Sequence, residues 1–231
     1  MAIVVVDSST IISCAMNCLM WVFKELKQRG FRFIVPIGVK KEIIDSGLSS
    51  ERFKYEAIRV SKYFADETFE VYKNEIKRQT SELLNYANSS FYIKGNPLRI
   101  LQEADAEVAA LAKHINADAI LTDERTLRLL IEAPDLIKGN LERKFHERVK
   151  VNEKMLHSFG KGFENIQIIR SVDLMALAYY LGIFDQLMKK CYISEIKDCE
   201  KTTIEGVLYA LKFAGCAVSF KEINDYVNLL R

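Results

Sequence analysis

Four short apolar runs frame the chain: IVVV at residues 3–6, FIV at 33–35, AIL at 119–121 and IQII at 166–169. Each is too short for a helix and rich in β-branched residues, the pattern of strands covered on both faces in a parallel sheet. Helical patterns lie between them. Residues 9–29 follow Ser8 and Ser9, which suit helix N-caps, and stop at Gly30, which suits the position just past a helix end. The Ala-rich segment EADAEVAALAKHI at 103–115 leads directly into the third run. This alternation predicts an α/β fold, an open and mainly parallel sheet flanked by helices.

The remaining segments are less regular. Residues 49–96 carry no strand signal; Phe53, Tyr55, Tyr63, Phe64, Phe69, Tyr72 and Tyr86 alternate with charges there, which predicts two or three amphipathic helices standing off the sheet. Residues 138–163 are polar and basic-leaning, and read as a helix followed by a loose loop. Beyond the fourth run the tail is helical. Thr202 with Glu205 and Ser219 with Glu222 have capping-box spacing, and Gly215 closes the helix between them. The simplest division is one α/β domain over residues 1–185 and a helical C-terminal extension over 186–231.

Composition excludes little. Lys plus Arg total 33 and Asp plus Glu 31, a net charge of +2, so any polyanion would have to meet a local basic patch. The longest apolar-leaning stretch, residues 11–23, is too short to span a bilayer, and Asp7 comes too early for a signal peptide. These features fit a cytoplasmic protein with no membrane role. The five cysteines are then expected to be reduced thiols. Cys14 and Cys18 lie one helical turn apart but have no partner set for zinc, and read as buried apolar thiols.

The acids carry the functional signal. Asp7 ends the first strand, Glu42 follows the second in VPIGVKKEII, Asp105 opens the Ala-rich helix and Asp123 ends the third strand in AILTDER. Open α/β sheets bind ligands at the carboxyl ends of their strands. Taken singly, Asp7 could be a cap, Glu42 a solvated helix residue, Asp105 a dipole-favoured acid and Asp123 a turn residue. Taken together, four acids from distant parts of the chain fall at one edge. Clustered carboxylates repel, and a divalent cation relieves the repulsion. An oxygen-only donor set favours Mg²⁺ or Mn²⁺, and phosphodiester hydrolysis is the matching chemistry.

The ordered segments VVVDSST, VPIGVKKEI and ADAEVAALAKHINADAILTDERTL, with the closing ENIQIIRSVDLMALAYYLGI, resemble the PIN-domain ribonuclease family over about residues 1–185. The resemblance implies that Asp7, Glu42, Asp105 and Asp123 are catalytic and bind Mg²⁺ or Mn²⁺. It places Ser9 two residues after the first acid and Thr122 before the last, as supporting or substrate-contacting hydroxyls. Glu124 stands where many members carry a further acid or Asn. Glu103 and Glu107 are additional acids suited to the helix surface. The family's usual activity, endoribonucleolytic cleavage, is the implied function. Many members are toxins of toxin–antitoxin pairs and many are dimeric, so a homodimer and an antitoxin chain are the implied protein partners, although the tail exceeds minimal toxin size. A non-catalytic PIN-like role in RNA binding or complex assembly is the alternative.

For the RNA substrate, the basic candidates are Arg125 and Arg128 beside the last acid, and Lys138, Arg143, Lys144, Arg148 and Lys150 beyond it. Glu142 and Glu147 would neutralise that second group if it were an ordinary solvated helix face. The aromatics at 53–72 suit packing better than base stacking. Other chemistries on similar sheets lack their signatures here. DSST has no second Asp two residues on, as a haloacid-dehalogenase-type phosphatase requires, and no Gly-rich dinucleotide turn. No GxxxxGK[ST] occurs. The acid pair of a receiver domain is likewise missing after the first strand.

Overall fold

The computed structural model describes residues 1–185 and 198–230; expectations that touch residues 186–197 and 231 lie outside them. All four apolar runs are strands of one parallel sheet. β1 (Ala2–Val6) sits at its centre between β2 (Phe31–Pro36) and β6 (Ala119–Leu121), with β3 (Phe69–Tyr72) outside β2 and β8 (Gln167–Ile169) outside β6. Val4, Val5 and Val6 are buried in succession because helices cover both faces, which is why the run does not alternate.

From β1 the chain moves out through β2 to β3 on one side and continues through β6 to β8 on the other. The direction of winding therefore reverses beside β1. The loops leaving β1 and β6 diverge there and open a crevice at the carboxyl edge.

The predicted helix over residues 9–29 is two helices, α1 (Ser8–Met16) and α2 (Met20–Gln28). Asn17 donates its side-chain amide to the Ser13 carbonyl at 2.8 Å, Cys18 takes a left-handed φ of 57°, and the chain re-enters a helix two residues later. The N-cap of α1 is Asp7 rather than either serine, since the Ser8 and Ser9 N–H groups donate to its carboxylate. Gly30, at φ 94°, does make the turn into β2.

After β2 the chain runs through α3 (Ile37–Lys41), a π-helical turn (Glu42–Ser46) and α4 (Gly47–Ser49), then α5 (Lys54–Ala65). Residues 49–96 do hold two helices, α5 and α6 (Lys77–Asn88), but also the unexpected strands β3, β4 (Phe91–Ile93) and β5 (Asn96–Pro97). β3 hides in FEVY because it is an edge strand of four residues. Phe69 enters the core against Phe23 and Phe33, while Glu70 faces out and takes a salt bridge from Arg32 at 2.5 Å. The strand is made by tertiary partners more than by local pattern. Tyr63, Phe64, Tyr72 and Tyr86 pack against the core as expected, whereas Tyr55 is 67% exposed.

α7 (Glu103–His114) is the Ala-rich helix, and α8 (Arg125–Glu132) and α9 (Pro134–Phe145) follow β6. The expected loose loop contains β7 (Lys150–Val151), which completes a small antiparallel sheet with β4 and β5, and α10 (Glu153–Gly160), capped by Asn152. α11 (Ser171–Tyr180) closes the α/β unit.

Among the described residues of the tail are α12 (Cys199–Phe213) and α13 (Phe220–Leu229). Asp198, not Thr202, caps α12, so Thr202 lies inside the helix; the Ser219–Glu222 capping box at α13 is present. Leu208, Leu211, Ile223 and Val227 join the same apolar core as the sheet. Arg170, only 7% exposed, binds Asp173 at 3.0 Å on its own side and Glu222 at 2.9 Å and the Ala217 carbonyl at 3.1 Å on the other. The tail is thus anchored by a buried guanidinium with several acceptors.

Cys14 and Cys216 are buried free thiols and Cys18 is an exposed one. Cys199 is disulfide-bonded, which corrects the expectation of reduced thiols throughout. Among the described residues no helix is long and apolar enough to cross a membrane.

Candidate active site

Asp7 leaves β1 at the crevice with 2% of its surface exposed. Burying a carboxylate is costly unless donors surround it. Here Ser8 N–H donates at 2.7 Å to one oxygen, and the Ser9 hydroxyl (2.5 Å) and Thr122 hydroxyl (3.0 Å) donate to the other. Ser9 Oγ in turn accepts the Asp123 N–H at 3.2 Å, and Thr122 Oγ1 accepts the Glu124 N–H at 3.0 Å. The two hydroxyls named by the sequence therefore stitch the end of β1 to the end of β6 and fix the orientation of Asp7.

Asp105 lies in the first turn of α7, its carboxylate accepting the Gln102 N–H at 3.4 Å. Burial pushes its carboxyl up, the negative charges of Asp7, Glu124 and Glu42 push it further, and the group reaches about 7. That response locates the cluster. Glu42 is exposed on the π-helical turn after β2, and Glu124 is the N-cap of α8, where it accepts the Thr126 N–H.

Asp123 faces elsewhere. Its Oδ1 accepts the Ser171 N–H at 2.8 Å and the Ser171 hydroxyl at 2.9 Å, at the start of α11, while Oδ2 is buried without a partner. Its charge acts on the thiols of Cys14 and Cys216, both raised first by burial, and Cys216 is pushed up to about 12. Strand register explains the division. Val6 pairs with Leu121, so Asp7 is level with Thr122 and shares its face. Successive side chains point to opposite faces, so Asp123 turns away and Glu124 returns toward Asp7. The sequence signal for this was the parity of residues 122–124, which counting acids overlooks.

Glu107, expected on the helix surface, does more. Burial raises its carboxyl, which accepts the Gly38 N–H at the start of α3. A Cβ on Gly38 would overlap its Oε2, so a glycine there lets α7 dock against the helix leading to Glu42. Glu142 and Glu147 do not neutralise the basic residues near them in sequence: Glu142 accepts the Val149 N–H at 3.1 Å, and Glu147 pairs with Lys94 at 2.6 Å.

All donors at the crevice are carboxylate or hydroxyl oxygens, a set suited to a hard divalent cation. The burial and like charges that raise the Asp105 carboxyl are the penalty such a cation would relieve. Among the described residues, however, no three His, Cys, Asp or Glu side chains converge closely enough to hold an ion as they stand.

A five-stranded parallel sheet with carboxylates near its central switch point defines an α/β fold with a candidate site of oxygen ligands at that edge. A PIN-domain family model matches residues 3–136, which spans β1 to the start of α9, and the chain belongs to that family. PIN domains are generally nucleases that act on RNA. No curated protein and no solved structure matches the chain significantly.

Proposed function

We propose that the chain is an Mg²⁺- or Mn²⁺-dependent endoribonuclease whose acids are Asp7, Glu42, Asp105 and Glu124. One observation carries this reading: burial first, and then the charges of Asp7, Glu124 and Glu42 from separate parts of the chain, raise the Asp105 carboxyl to about 7. A bound divalent cation would supply an activated water and stabilise the charge developing on the phosphate. Asp7 contributes a carboxylate whose direction is set by Ser8, Ser9 and Thr122 before any ligand arrives. Asp105 contributes a charge that is half present near pH 7 and complete only well above it, and Glu42 and Glu124 flank it from the π-helical turn after β2 and the start of α8. Asp123 secures the start of α11 through Ser171 and has a structural part in this arrangement.

A non-catalytic role in RNA binding or assembly is the competing reading, and the open spacing of the acids favours it. Purified protein, structured RNA and either cation decide between them. Wild type is expected to cleave and Asp7→Asn to lose at least a hundredfold in rate; equal cleavage by both, or none by wild type across several RNAs, sinks the enzyme reading. A toxin role further requires a small antitoxin chain that copurifies and suppresses that cleavage, and a homodimer would show in the molecular mass in solution.

A further inference from the structure

A groove of about 600 Å³ runs between residues 98–100, α8 and α9. Arg99, Arg125, Arg143 and Lys144 rim it, and Leu98, Leu129 and Leu141 are among its apolar lining. No acid lines it, and none of the four cations makes an ion pair among the described residues. The Glu residues that would have neutralised Arg143 and Lys144 are engaged at Val149 and Lys94. Phe145 lies at the end of the groove, 44% exposed, with the Lys144 ammonium 5.4 Å from its ring centre. Four exposed, unpaired cations around apolar side chains describe a ligand that is anionic along one edge and flat and apolar along another.

Continuity with the acids narrows the ligand. Arg125 follows Glu124 directly and also lines the neighbouring depression formed with Ser9, Asp123 and Glu124. A ligand in the groove therefore leads past Arg125 to the carboxylate edge. An acidic peptide would satisfy the cations but bring no flat apolar face to Leu98, Leu129, Leu141 and Phe145. A nucleotide strand alternates a phosphate with a base that has an apolar face, which matches cations above a hydrophobic floor. A duplex keeps its bases inside the stack, where this groove cannot reach them. We propose that the groove is the docking track for single-stranded RNA, with phosphates on Arg99, Arg125, Arg143 and Lys144 and one unpaired base on Phe145. This deepens and rests on the ribonuclease reading, but is measured separately from it.

The test is binding of a fluorescent single-stranded RNA of about 15 nucleotides to the full chain in EDTA, so that cleavage does not enter. The variant Arg99→Ala/Arg143→Ala/Lys144→Ala is expected to weaken binding at least tenfold and to flatten the slope of log affinity against log salt by about 2, at about 0.7 per lost phosphate contact. Phe145→Ala is expected to weaken it roughly 5- to 100-fold with the salt slope unchanged. Lys77→Ala/Arg78→Ala, whose cations sit on α6 and pair with Glu75 and Glu82, serves as a control with unchanged binding. Equal binding by wild type and the triple variant overturns the proposal, and so does equal affinity for a duplex of the same length. Binding that follows this pattern without any cleavage would defeat the nuclease reading and leave the groove standing.

Discussion

Asp105 should be a group whose charge the folded protein carries at a cost, and replacing it should show that cost directly. The carboxyl moves from 3.8 to about 7 on folding. The full difference corresponds to about 4 kcal/mol. Partial solvent access at the crevice and ionic screening reduce the measurable part to about 1–2 kcal/mol. The sign follows from proton counting. Well below pH 3.8 both folded and unfolded chains hold the proton, so the group contributes nothing. Between about pH 4 and 7 the unfolded chain has released it and the folded chain has not, so wild-type stability falls as pH rises. Above about pH 7 the whole penalty is present. Asp105→Asn keeps an oxygen for the Gln102 N–H and removes the charge. In EDTA it should therefore melt about 2–8 °C above wild type near pH 8, with the gain shrinking as pH falls and reaching zero only near pH 3. The assay is thermal unfolding across that range at fixed ionic strength. A variant less stable than wild type near pH 8, or a gain independent of pH, would refute the clustered-carboxylate argument.

Three further outcomes separate the roles assigned above. Divalent cation should raise the melting temperature of wild type more near pH 8 than near pH 5.5, because protons compete for Asp105 at the lower pH; Glu124→Gln should lose that response while keeping its fold, and an unchanged response removes Glu124 from the site. Asp123→Ala should cost about 2–3 kcal/mol in denaturant unfolding, since it strips two buried donors on Ser171 of a charged acceptor; a loss of activity without a loss of stability would show that Asp123 acts at the reaction centre instead. Arg170→Ala should cost about 3–5 kcal/mol by leaving Asp173 and Glu222 without their shared cation, and limited proteolysis should then cut the tail near α12 and α13 first; a stable, uncut variant would show that the apolar contacts alone hold these helices.

The sequence by itself determined four of the five strands of the parallel sheet. Runs such as Val4 to Val6 must be covered on both faces, and the helical stretches between the runs leave parallel pairing as the means of covering them. It also determined that acids from separated segments end at one edge, because Asp7 and residues 122–124 follow strands directly and Asp105 opens a helix. The edge strand β3 was not legible, since its pattern is shared between Phe69 in the core and Glu70 on Arg32, and both partners are distant in the chain. Neither was the choice between Asp123 and Glu124. That choice depends on the register of β6 against β1, and register is a relation between two strands that neither strand carries alone. The groove has the same origin. Arg99, Arg125, Arg143 and Lys144 are scattered over three segments, and become one basic surface only because α8 and α9 fold back beside residues 98–100 while Glu142 and Glu147 find partners elsewhere. Local sequence fixes which side chains are available at each element's end; the direction each one faces, and the charges it meets, are properties of the packed whole.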